Sequence, residues 1–537
     1  MSSLASLSLW AIALPFVGAA IVALLGNNRE EAVSDVALGT AILESVLAVL
    51  LVMRTGSHEQ VVSRWTWPYD FALVSDGLSV FAVLVTSVLG ALILVCSRSY
   101  MEHEHGKARY YALMLSVIGA MNGLALSESL LYLYIFWEAC GIASFSLIAF
   151  HQDDPVAKAA AKRAYVFTRI SDLCLLAGVI ALYLSSSPST FDLATIVEGA
   201  RSGAIPASRL AFPAFAMLVG AMGRSAQAPL HLWLPGAMEA PSSASALIDA
   251  AATMNGGVVL LVHLYPAFSM VPGWTSSVMW IGTVTVLWGA VAAMRARDLK
   301  RMLGYSTMSQ LGYMFMAIGI GSVLASQFHM VSHAVFKSLL FLAAGAVVHE
   351  AGTRDMGLIS GAGKKMPLTG RMFMLGVMGL SGIPLTSGFF SKDMVFSGAL
   401  HVQAYPTLVG AVLGAALTFT YSWRAYLSVF GGQPSGALAT AHEAPRSMIW
   451  PMEILGIGTL FSWLLIGPQS EKIHETVSGI EVHTLTPAYL VEETFASPAA
   501  LLSILALVAG LLAVVYMRRV GEHARVPHAA TKTVHKH

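Results

Sequence analysis

The feature that most constrains this chain is a long succession of apolar stretches, each about as long as a helix that crosses a lipid bilayer. The hydrocarbon core of a bilayer is about 30 Å thick and an α-helix rises about 1.5 Å per residue, so about 20 apolar residues span it. About fifteen such stretches are present, at 8–26, 34–53, 75–97, 110–129, 131–150, 164–184, 212–228, 245–265, 275–294, 306–321, 326–348, 370–398, 405–430, 450–468 and 499–518. They predict an all-α polytopic membrane protein with about 14–15 transmembrane helices.

The distribution of Lys and Arg between the loops predicts how the chain is oriented. Cytoplasmic loops of membrane proteins collect these residues, whereas exported loops do not. Of the 31 Lys and Arg residues, 21 lie in the C-terminal tail or in loops after odd-numbered stretches, and five lie in loops after even-numbered stretches. We therefore expect a cell (inner) membrane protein with its N-terminus outside and its C-terminus in the cytoplasm.

The remaining five cations lie inside apolar stretches rather than between them. They are Arg169, Arg224, Lys337, Lys392 and Arg424. A cation at the centre of a membrane helix costs about 3 kcal/mol or more, so it is retained where it is paired or lines a hydrated interior. Two acidic residues in comparable surroundings supply the opposite charge: Glu138 and Asp249. This combination predicts an ion pathway through the membrane.

Two of the apolar stretches, the seventh and the twelfth, carry residues that interrupt a helix. The segment GRSAQAPLHLWLPGAMEAP contains Arg224 and Pro229, and the segment GIPLTSGFFSKD contains Pro384 and Lys392. Proline lacks the N–H that a helix interior requires, and an interrupted helix leaves backbone groups free to hold water or an ion. Two interrupted stretches five spans apart, each with a basic residue, are typical of an inverted repeat in a transporter. The alternative is a proline kink in each helix.

A third feature is the segment FHMVSHAVFKSLLF, in which His329, His333 and Lys337 follow one another at intervals of four. Four residues turn a helix by about 400°, so these side chains stack along one face. Histidine titrates near neutral pH, and a desolvated lysine can do so too, which suits a proton relay. Hydrogen bonding to neighbouring helices is the main alternative. A metal site is less favoured, because an HExxH glutamate and a third ligand are missing from the segment.

Motifs for redox or nucleotide chemistry are missing from the sequence. It contains no strand followed by GxGxxG, no Walker loop and no cysteine spacing typical of a metal or an iron–sulfur cluster. Its three cysteines, Cys96, Cys140 and Cys174, stand far apart. We therefore expect the chain to bind no cofactor, no metal and no nucleic acid, and any redox chemistry to belong to a partner.

Several segments resemble one family closely, the antiporter-like membrane subunits of respiratory complex I. Subunit L (chain 5) is nearest, and the Mrp-type cation/proton antiporters are close relatives. The resemblance covers roughly residues 70 to 430 and is carried by LYLYIFWEACGIASFSLIAF, GRSAQAPLHLWLPGAMEAP, RDLKRMLGYSTMSQLGYMFMAIGIG, FHMVSHAVFKSLLFLAAGAV and GIPLTSGFFSKD. It implies two inverted five-helix repeats, spans 4–8 and 9–13, each forming a half-channel.

The same resemblance implies a division of the chain and roles for single residues. The implied parts are N-terminal helices (1–109), the first repeat (110–265), the second repeat (275–430), and C-terminal helices with a basic tail (431–537). Glu138 corresponds to a glutamate of span 5 that pairs with the base of span 7 and sets that base's proton affinity. Arg169 and Asp172 correspond to the Arg and Asp of span 6. His329, His333 and Lys337 correspond to the family's central relay. Lys392 corresponds to the lysine of its second broken helix.

Two positions depart from the family pattern. Arg224 replaces the usual lysine of the first broken helix, and Asp249 stands at or next to the place of a usual histidine. Arginine keeps its proton in proteins, so Arg224 does not suit a carrier that alternates between charged and neutral forms. Asp249 is then expected either to titrate in its place or to pair with Arg224 as a fixed gate. A carboxylate at this position would equally suit sodium coordination.

The C-terminal end also departs from subunit L, which continues into a long amphipathic lateral helix. No amphipathic stretch of that length follows span 15 here, so we expect a smaller assembly. Similar in sequence are Mrp-like antiporters, hydrogenase-linked modules, a shortened complex I and the membrane subunit of two-component inorganic-carbon (DAB-type) pumps. In such a pump the cytoplasmic partner is a zinc protein resembling carbonic anhydrase. The FWEACG segment is closer to the complex I and Mrp forms.

The leading hypothesis is a proton-translocating subunit of a multi-subunit complex related to NADH:quinone oxidoreductases. Its partners would be the lipid bilayer and other membrane and cytoplasmic subunits, and sodium is the alternative ion. Ions would pass along the buried Glu, Arg, Asp, His and Lys side chains, and the chain would have no redox or hydrolytic site of its own. One alternative is the carbon pump, in which ion flow drives hydration of carbon dioxide. Another is a non-conducting structural anchor, in which the channel is inactive because Arg224 does not release its proton.

Overall fold

The computed structural model describes residues 3–55, 61–65, 71–476 and 485–524, which are almost entirely helical. The helices are α1 (Ser3–Leu25), α2 (Glu30–Arg54), α3 (Gly77–Tyr100), α4 (Lys107–Leu126), α5 (Leu130–Ile148), α6 (Pro155–Ser185), α7 (Leu193–Arg201), α8 (Ala207–Arg224), α9 (Leu234–Ala237), α10 (Ser242–Ser245), α11 (Gly256–Phe268), α12 (Trp274–Arg295), α13 (Leu299–Gly319), α14 (Val323–Ala351), α15 (Ala362–Lys365), α16 (Pro367–Ser381), α17 (Ser387–His401), α18 (Tyr405–Phe430), α19 (Arg446–Phe461), α20 (Ile466–Thr476), α21 (Pro487–Ala496) and α22 (Pro498–Ala524). Two strands, β1 (Val61–Trp65) and β2 (Phe71–Ser75), form an antiparallel hairpin that the sequence pattern does not predict.

Helices occupy all of the predicted apolar stretches. Among the residues that the structure describes, 10 helical runs are long and apolar enough to cross a membrane. The other stretches are occupied by α4, α8, α13, the pair α16 and α17, and α18, which fall short of that length or hydropathy. Exposed apolar side chains such as Trp10, Ile42 and Leu505 lie on the outer surface of the bundle. The prediction of an all-α polytopic membrane protein is confirmed.

Local sequence signals fix where several of the helices begin and end. The carboxylate of Asp154 accepts a hydrogen bond from the N–H of Val156 at the start of α6, and Asp298 accepts one from the N–H of Arg301 at the start of α13. Such caps satisfy N–H groups that have no partner within the helix. Gly352 follows α14 with φ of 63°, a left-handed conformation that glycine adopts without a steric penalty.

The interruptions expected in spans 7 and 12 are both present. α8 ends at Arg224, and the chain turns through Pro229 before α9 begins. α16 ends at Ser381, and Pro384 lies in the gap before α17 begins at Ser387. Each break leaves carbonyl groups at a helix end without partners in their own helix. The inverted relation of the two repeats, and the domain boundaries drawn from it, stay predictions.

A third interruption lies in span 8, where the sequence pattern predicts a continuous helix. Residues Ala246–Ala251 form a wide π turn, and Ala252 then leaves helical geometry with φ −134° and ψ −90°. A short 3₁₀ turn, Thr253–Asn255, follows before α11 begins. π turns are single-residue expansions of a helix that are frequent at functional sites. The one ionisable residue within this turn is Asp249.

The helix α14 and the run from α10 to α11 form the centre of the bundle. In its most apolar window α14 is 94% buried and the run Ser242–Phe268 is 100% buried, compared with 28% for α22. α14 packs against α3, α13, α16, α17, α19 and the π turn. The charged residues on these two elements are therefore separated from lipid by other helices.

Candidate functional site

Arg224 lies at the C-terminal end of α8, enclosed by side chains of α5 and α6. Its guanidinium donates hydrogen bonds to the main-chain oxygen of Trp137 at 3.0 Å and to Oδ1 of Asp172 at 3.4 Å. The guanidinium carbon lies 4.5 Å from the centre of the Trp137 ring, and the indole Nε1 donates to the same Asp172 oxygen at 2.5 Å. Both charged side chains are only 3% exposed. A buried cation is thus held by a buried anion beside the first break.

The pairing expected for Glu138 differs from the pairing that the structure shows. Glu138 on α5 forms an ion pair with Arg169 on α6, and Arg224 pairs with Asp172. Arg169 and Asp172 are three residues apart and lie on neighbouring turns of one side of α6, where each contacts a partner on a different helix. The prediction that Glu138 contacts the base of span 7 is therefore wrong. The side chains of Arg169 and Glu138 are 29% and 16% exposed, so this second pair lies nearer the surface.

Asp249 lies in the π turn of span 8 and is 1% exposed. Within the described parts of the chain, neither of its carboxylate oxygens has a hydrogen-bond partner. The charges that act on it are those of Lys337 on α14 and Lys300 on α13. The expectation that Asp249 pairs with Arg224 is not met, because the π turn directs its carboxylate towards the lysines and Asp172 occupies the guanidinium.

Hydroxyl groups connect the surroundings of Arg224 with the segment that follows Asp249. The hydroxyls of Ser144 on α5 and Thr253 lie 2.8 Å apart in a hydrogen bond. Ser225, the residue after Arg224, donates from Oγ to the main-chain oxygen of Met254 at 2.7 Å. These contacts tie the end of α8 to the interrupted span 8.

The residues at intervals of four on α14 lie in one buried row, as the sequence predicts. His329, His333 and Lys337 are all 0% exposed. The ring centres of His329 and His333 are 6.5 Å apart, and Nδ1 of His329 lies 2.9 Å from Oγ of Ser391 in a hydrogen bond. Both ring nitrogens of His333 lack a partner among the described residues. These residues also contain no group of three or more His, Cys, Asp or Glu side chains placed to hold a metal ion.

Lys392 lies on α17 and reaches back across the second break. Its Nζ donates to the main-chain oxygen of Leu380, near the end of α16, at 2.5 Å. The preceding residue is Ser391, the hydroxyl partner of His329. Lys392 is 3% exposed, and its ammonium lies 5.8 Å from the ring centre of Tyr313. The row on α14 therefore ends at the second broken helix.

Main-chain carbonyl groups hold the buried ammonium ions of this site. Lys337 donates to the oxygen of Leu303 at 2.7 Å and to the hydroxyl of Ser306 at 2.5 Å. Lys300 donates to the oxygen of Ala240 at 2.5 Å, as Lys392 does to that of Leu380. No ion pair between any of these lysines and a carboxylate occurs within the described ranges. Their charge is thus met by backbone dipoles.

Several buried ionisable residues are missing from the sequence-based prediction, among them Lys300 and Glu44. Lys300, which the hydropathy pattern places in a loop, is 3% exposed at the first turn of α13. Glu44 on α2 is 1% exposed, and its Oε1 accepts hydrogen bonds from Asn122 at 2.9 Å and Ser87 at 3.3 Å. The signal for Glu44 was available, since it lies within the apolar stretch 34–53 as Glu138 and Asp249 lie within theirs.

Two family models match the chain. The model described as NADH:quinone oxidoreductase/Mrp antiporter, TM, matches residues 127–418, which is more than half of the chain. The chain belongs to this family. A second model, described as NADH-Ubiquinone oxidoreductase (complex I), chain 5 N-terminus, matches residues 65–111. The predicted resemblance to the antiporter-like subunits is confirmed.

Curated relatives agree with this assignment. The chain is 35% identical over 468 residues to the NAD(P)H-quinone oxidoreductase chain 5 of Picosynechococcus sp., which covers 80% of this chain and 70% of that protein. It is 38% identical over 408 residues to the chloroplastic NAD(P)H-quinone oxidoreductase subunit 5 of Nymphaea alba, which covers 73% of this chain and 54% of that protein. The matched part of the chain therefore spans 54–70% of the length of these relatives.

Solved structures share the fold. A chain of the Mrp complex from Dietzia sp. DQ12-45-1b matches with a TM-score of 0.85 and 27% identity, over 98% of this chain and 58% of that one. A chain of the membrane-bound sulfane sulfur reductase, an archaeal respiratory membrane complex, matches with a TM-score of 0.78 and 20% identity, over 90% and 99% of the two chains. The second likeness concerns the fold alone.

Proposed function

We propose that this chain is a proton-translocating subunit of a multi-subunit membrane complex related to NADH:quinone oxidoreductases. The observation that carries the proposal is the series of buried ionisable side chains through the centre of the bundle. In order, its members are Asp172, Arg224, Asp249, Lys337, His333, His329 and Lys392. Ionisable groups inside a membrane are costly and are retained where ions move. Membership of the family, and relatives that are subunits of larger complexes, support the rest of the proposal.

Arg224 acts in this proposal as a fixed charge rather than as a proton carrier. Its guanidinium stays protonated, and its contacts with Asp172 and Trp137 hold it in place. The first group of the series that gains and loses a proton is then Asp249, whose carboxylate has no hydrogen-bond partner among the described residues. Lys337 and Lys300 are the cations whose charges act on this carboxylate, so proton binding at Asp249 is coupled in this proposal to the charge on Lys337.

The row on α14 then carries the proton towards the second break. Lys337 releases a proton and becomes neutral, and His333 accepts it on a free ring nitrogen. The proton then passes from His333 to His329, whose ring centres are 6.5 Å apart. His329 passes the proton through the hydroxyl of Ser391 to the neighbourhood of Lys392. Each transfer charges the acceptor as it discharges the donor.

Proton flux tests this proposal. The chain, purified with its native partner subunits, is reconstituted in liposomes that contain a pH-sensitive dye, and Lys337→Ala and Lys392→Ala are compared with the wild type. Each should lower proton flux by about 100-fold, in keeping with loss of a proton-transfer group. Lys364→Ala, at an exposed lysine of α15, is the matched control and should leave flux unchanged. Unchanged flux in the first two variants would mean a non-conducting anchor.

The same liposomes identify the ion, and the purified sample identifies the partners. Proton flux that persists without sodium supports proton translocation, whereas flux that requires sodium identifies a sodium-coupled subunit. Mass spectrometry of the co-purified proteins distinguishes the assemblies. Flavin and iron–sulfur subunits would support the redox-driven complex, and a lone soluble zinc protein would instead support the carbon pump.

A further inference from the structure

A cavity of about 810 Å³ opens where α12 ends and α13 begins, apart from the series of buried charges. Four arginines line it: Arg295, Arg297, Arg301 and Arg354. Two aromatic side chains, His231 and Trp288, also line it, and Nε1 of Trp288 donates to Nε2 of His231 at 3.0 Å. The lining of the cavity thus includes both arginine and aromatic side chains.

Two of the four arginines are already neutralised. Arg354 contacts Glu239 at 2.9 Å and Asp298 at 3.3 Å, and Arg301 contacts Glu239 at 3.5 Å. Arg295 and Arg297 form no ion pair with any residue in the described part of the chain, and both are exposed. Two carboxylates also line the cavity: Asp298 is paired with Arg354, and Asp355 accepts a hydrogen bond from the N–H of Gly357. With four arginines against these two aspartates, the lining keeps an excess of positive charge. Guanidinium groups bind phosphate oxygens through paired N–H donors, which makes phosphate a fitting ligand.

The position of the cavity relative to the membrane indicates that the phosphate belongs to a lipid headgroup rather than to a free ion. Trp280, Val284 and Trp288 follow one another at intervals of four on α12 and are 47%, 51% and 57% exposed. They form an apolar stripe that runs along the outer surface of this spanning helix and ends at the cavity. Tryptophan is enriched at the boundary between hydrocarbon and headgroups. An acyl chain on the stripe would place its headgroup among the arginines.

We propose that this cavity binds the phosphate of an anionic phospholipid. The phosphate lies between Arg295 and Arg297, and the acyl chains follow the stripe along α12. The ligand chemistry is a phosphate group, and inorganic phosphate is its soluble alternative. His231 belongs to the break after α8, and the lining residue Tyr305 lies two residues after Leu303, the carbonyl partner of Lys337. A bound lipid would therefore brace two elements that hold the buried charges.

The test measures lipid retention on the purified full-length chain by native mass spectrometry. After delipidation, phosphatidylglycerol or phosphatidylcholine is added back. The double variant Arg295→Ala/Arg297→Ala should bind phosphatidylglycerol about tenfold more weakly than the wild type, and phosphatidylcholine binding should not change. The matched control is Lys162→Ala/Arg163→Ala, which removes two exposed cations from α6 and should leave retention unchanged.

A second measurement separates the two sources of phosphate and guards against misfolding. Fluorescence of Trp288, taken as the difference between the wild type and Trp288→Phe, should be quenched by phosphatidylglycerol with brominated acyl chains. If inorganic phosphate displaces that lipid at equal concentration, the site recognises the free anion. Equal phosphatidylglycerol binding by the wild type and the folded Arg295/Arg297 variant would overturn the proposal.

Discussion

At the scale of single residues, two ion pairs on neighbouring turns of α6 differ in how much water reaches them. The side chains of Arg224 and Asp172 are each 3% exposed, and those of Arg169 and Glu138 are 29% and 16% exposed. Removing one partner of a buried pair leaves an uncompensated charge, whereas water partly replaces a lost partner near the surface. The two pairs should therefore respond very differently to the same chemical change.

Asp172→Asn should lower the free energy of unfolding by about 3–5 kcal/mol, because Arg224 stays buried without an anion. Glu138→Gln is the matched change at the more exposed pair and should cost about 1 kcal/mol or less. Thermal unfolding of the detergent-solubilised chain measures both. Equal losses of unfolding free energy in the two variants would contradict the argument that burial makes the Arg224–Asp172 pair the more important one.

The glycine of the FWEACG segment, Gly141, gives the guanidinium of Arg224 its space. A Cβ atom at Gly141 would lie 2.9 Å from one terminal nitrogen of Arg224, which is closer than such atoms normally approach. Gly141→Ala should therefore displace the guanidinium and lower stability by about 1–3 kcal/mol, despite the helix propensity of alanine. Gly39→Ala on α2 is the control, since a Cβ there meets nothing within 4 Å. A Gly141→Ala variant as stable as this control contradicts the packing argument.

At the level of the helices, the sequence predicts the two breaks that contain a proline, in spans 7 and 12. It misses the break in span 8, which contains none. Pro229 and Pro384 indicate the interruptions of spans 7 and 12 because proline lacks the N–H that a helix interior requires. Proline alone does not decide the matter, since helices continue through Pro15, Pro213, Pro266 and Pro451. The π turn around Asp249 lies in the segment SALIDAAATM, which contains only ordinary helix formers. The run Ser242–Phe268 is buried on all sides, so an extra residue shifts no amphipathic pattern and only the three-dimensional structure reveals it.

The role of the π turn in positioning Asp249 can be tested by removing one of its residues. Deleting Ala250 should remove the extra residue of the turn and restore regular helical geometry there, which changes the direction of the Asp249 side chain relative to Lys337. Proton flux should fall to the background, while circular dichroism should show unchanged helix content. Ala250→Gly alters the same position without changing the register and should retain flux. A deletion variant with wild-type flux would mean that the turn does not position Asp249.

Spacing along one helix predicts which side chains share a face, whereas contacts between helices depend on packing. The interval of four correctly places His329, His333 and Lys337 in one row, because all three lie on a single helix. The partner of Glu138 depends on how α5, α6 and α8 are rotated about their axes, and that rotation is set by packing between helices rather than by spacing within one. The sequence therefore predicts the members of the site but not which of them touch.

At the scale of the whole molecule, the orientation in the membrane is a proposal that rests on the loop charges. Residue 202 lies in a loop that should face the outside, and residue 364 lies in one that should face the cytoplasm. In a background with its three cysteines replaced, a membrane-impermeant maleimide should label Ser202→Cys in intact cells. Lys364→Cys should be labelled only after permeabilisation. The opposite labelling pattern would reverse the proposed topology.

The buried lysines have one consequence for how such a molecule can change. Lys300, Lys337 and Lys392 are held by the carbonyl oxygens of Ala240, Leu303 and Leu380. Every residue supplies a carbonyl, so these contacts survive substitution of the residues that provide them. Substituting the residue that supplies the carbonyl does not remove such a hydrogen bond. Movement of the backbone does, because a shift of one helix end by about 1–2 Å breaks it. The proton affinities of these three lysines therefore depend on where the backbone places its carbonyl groups.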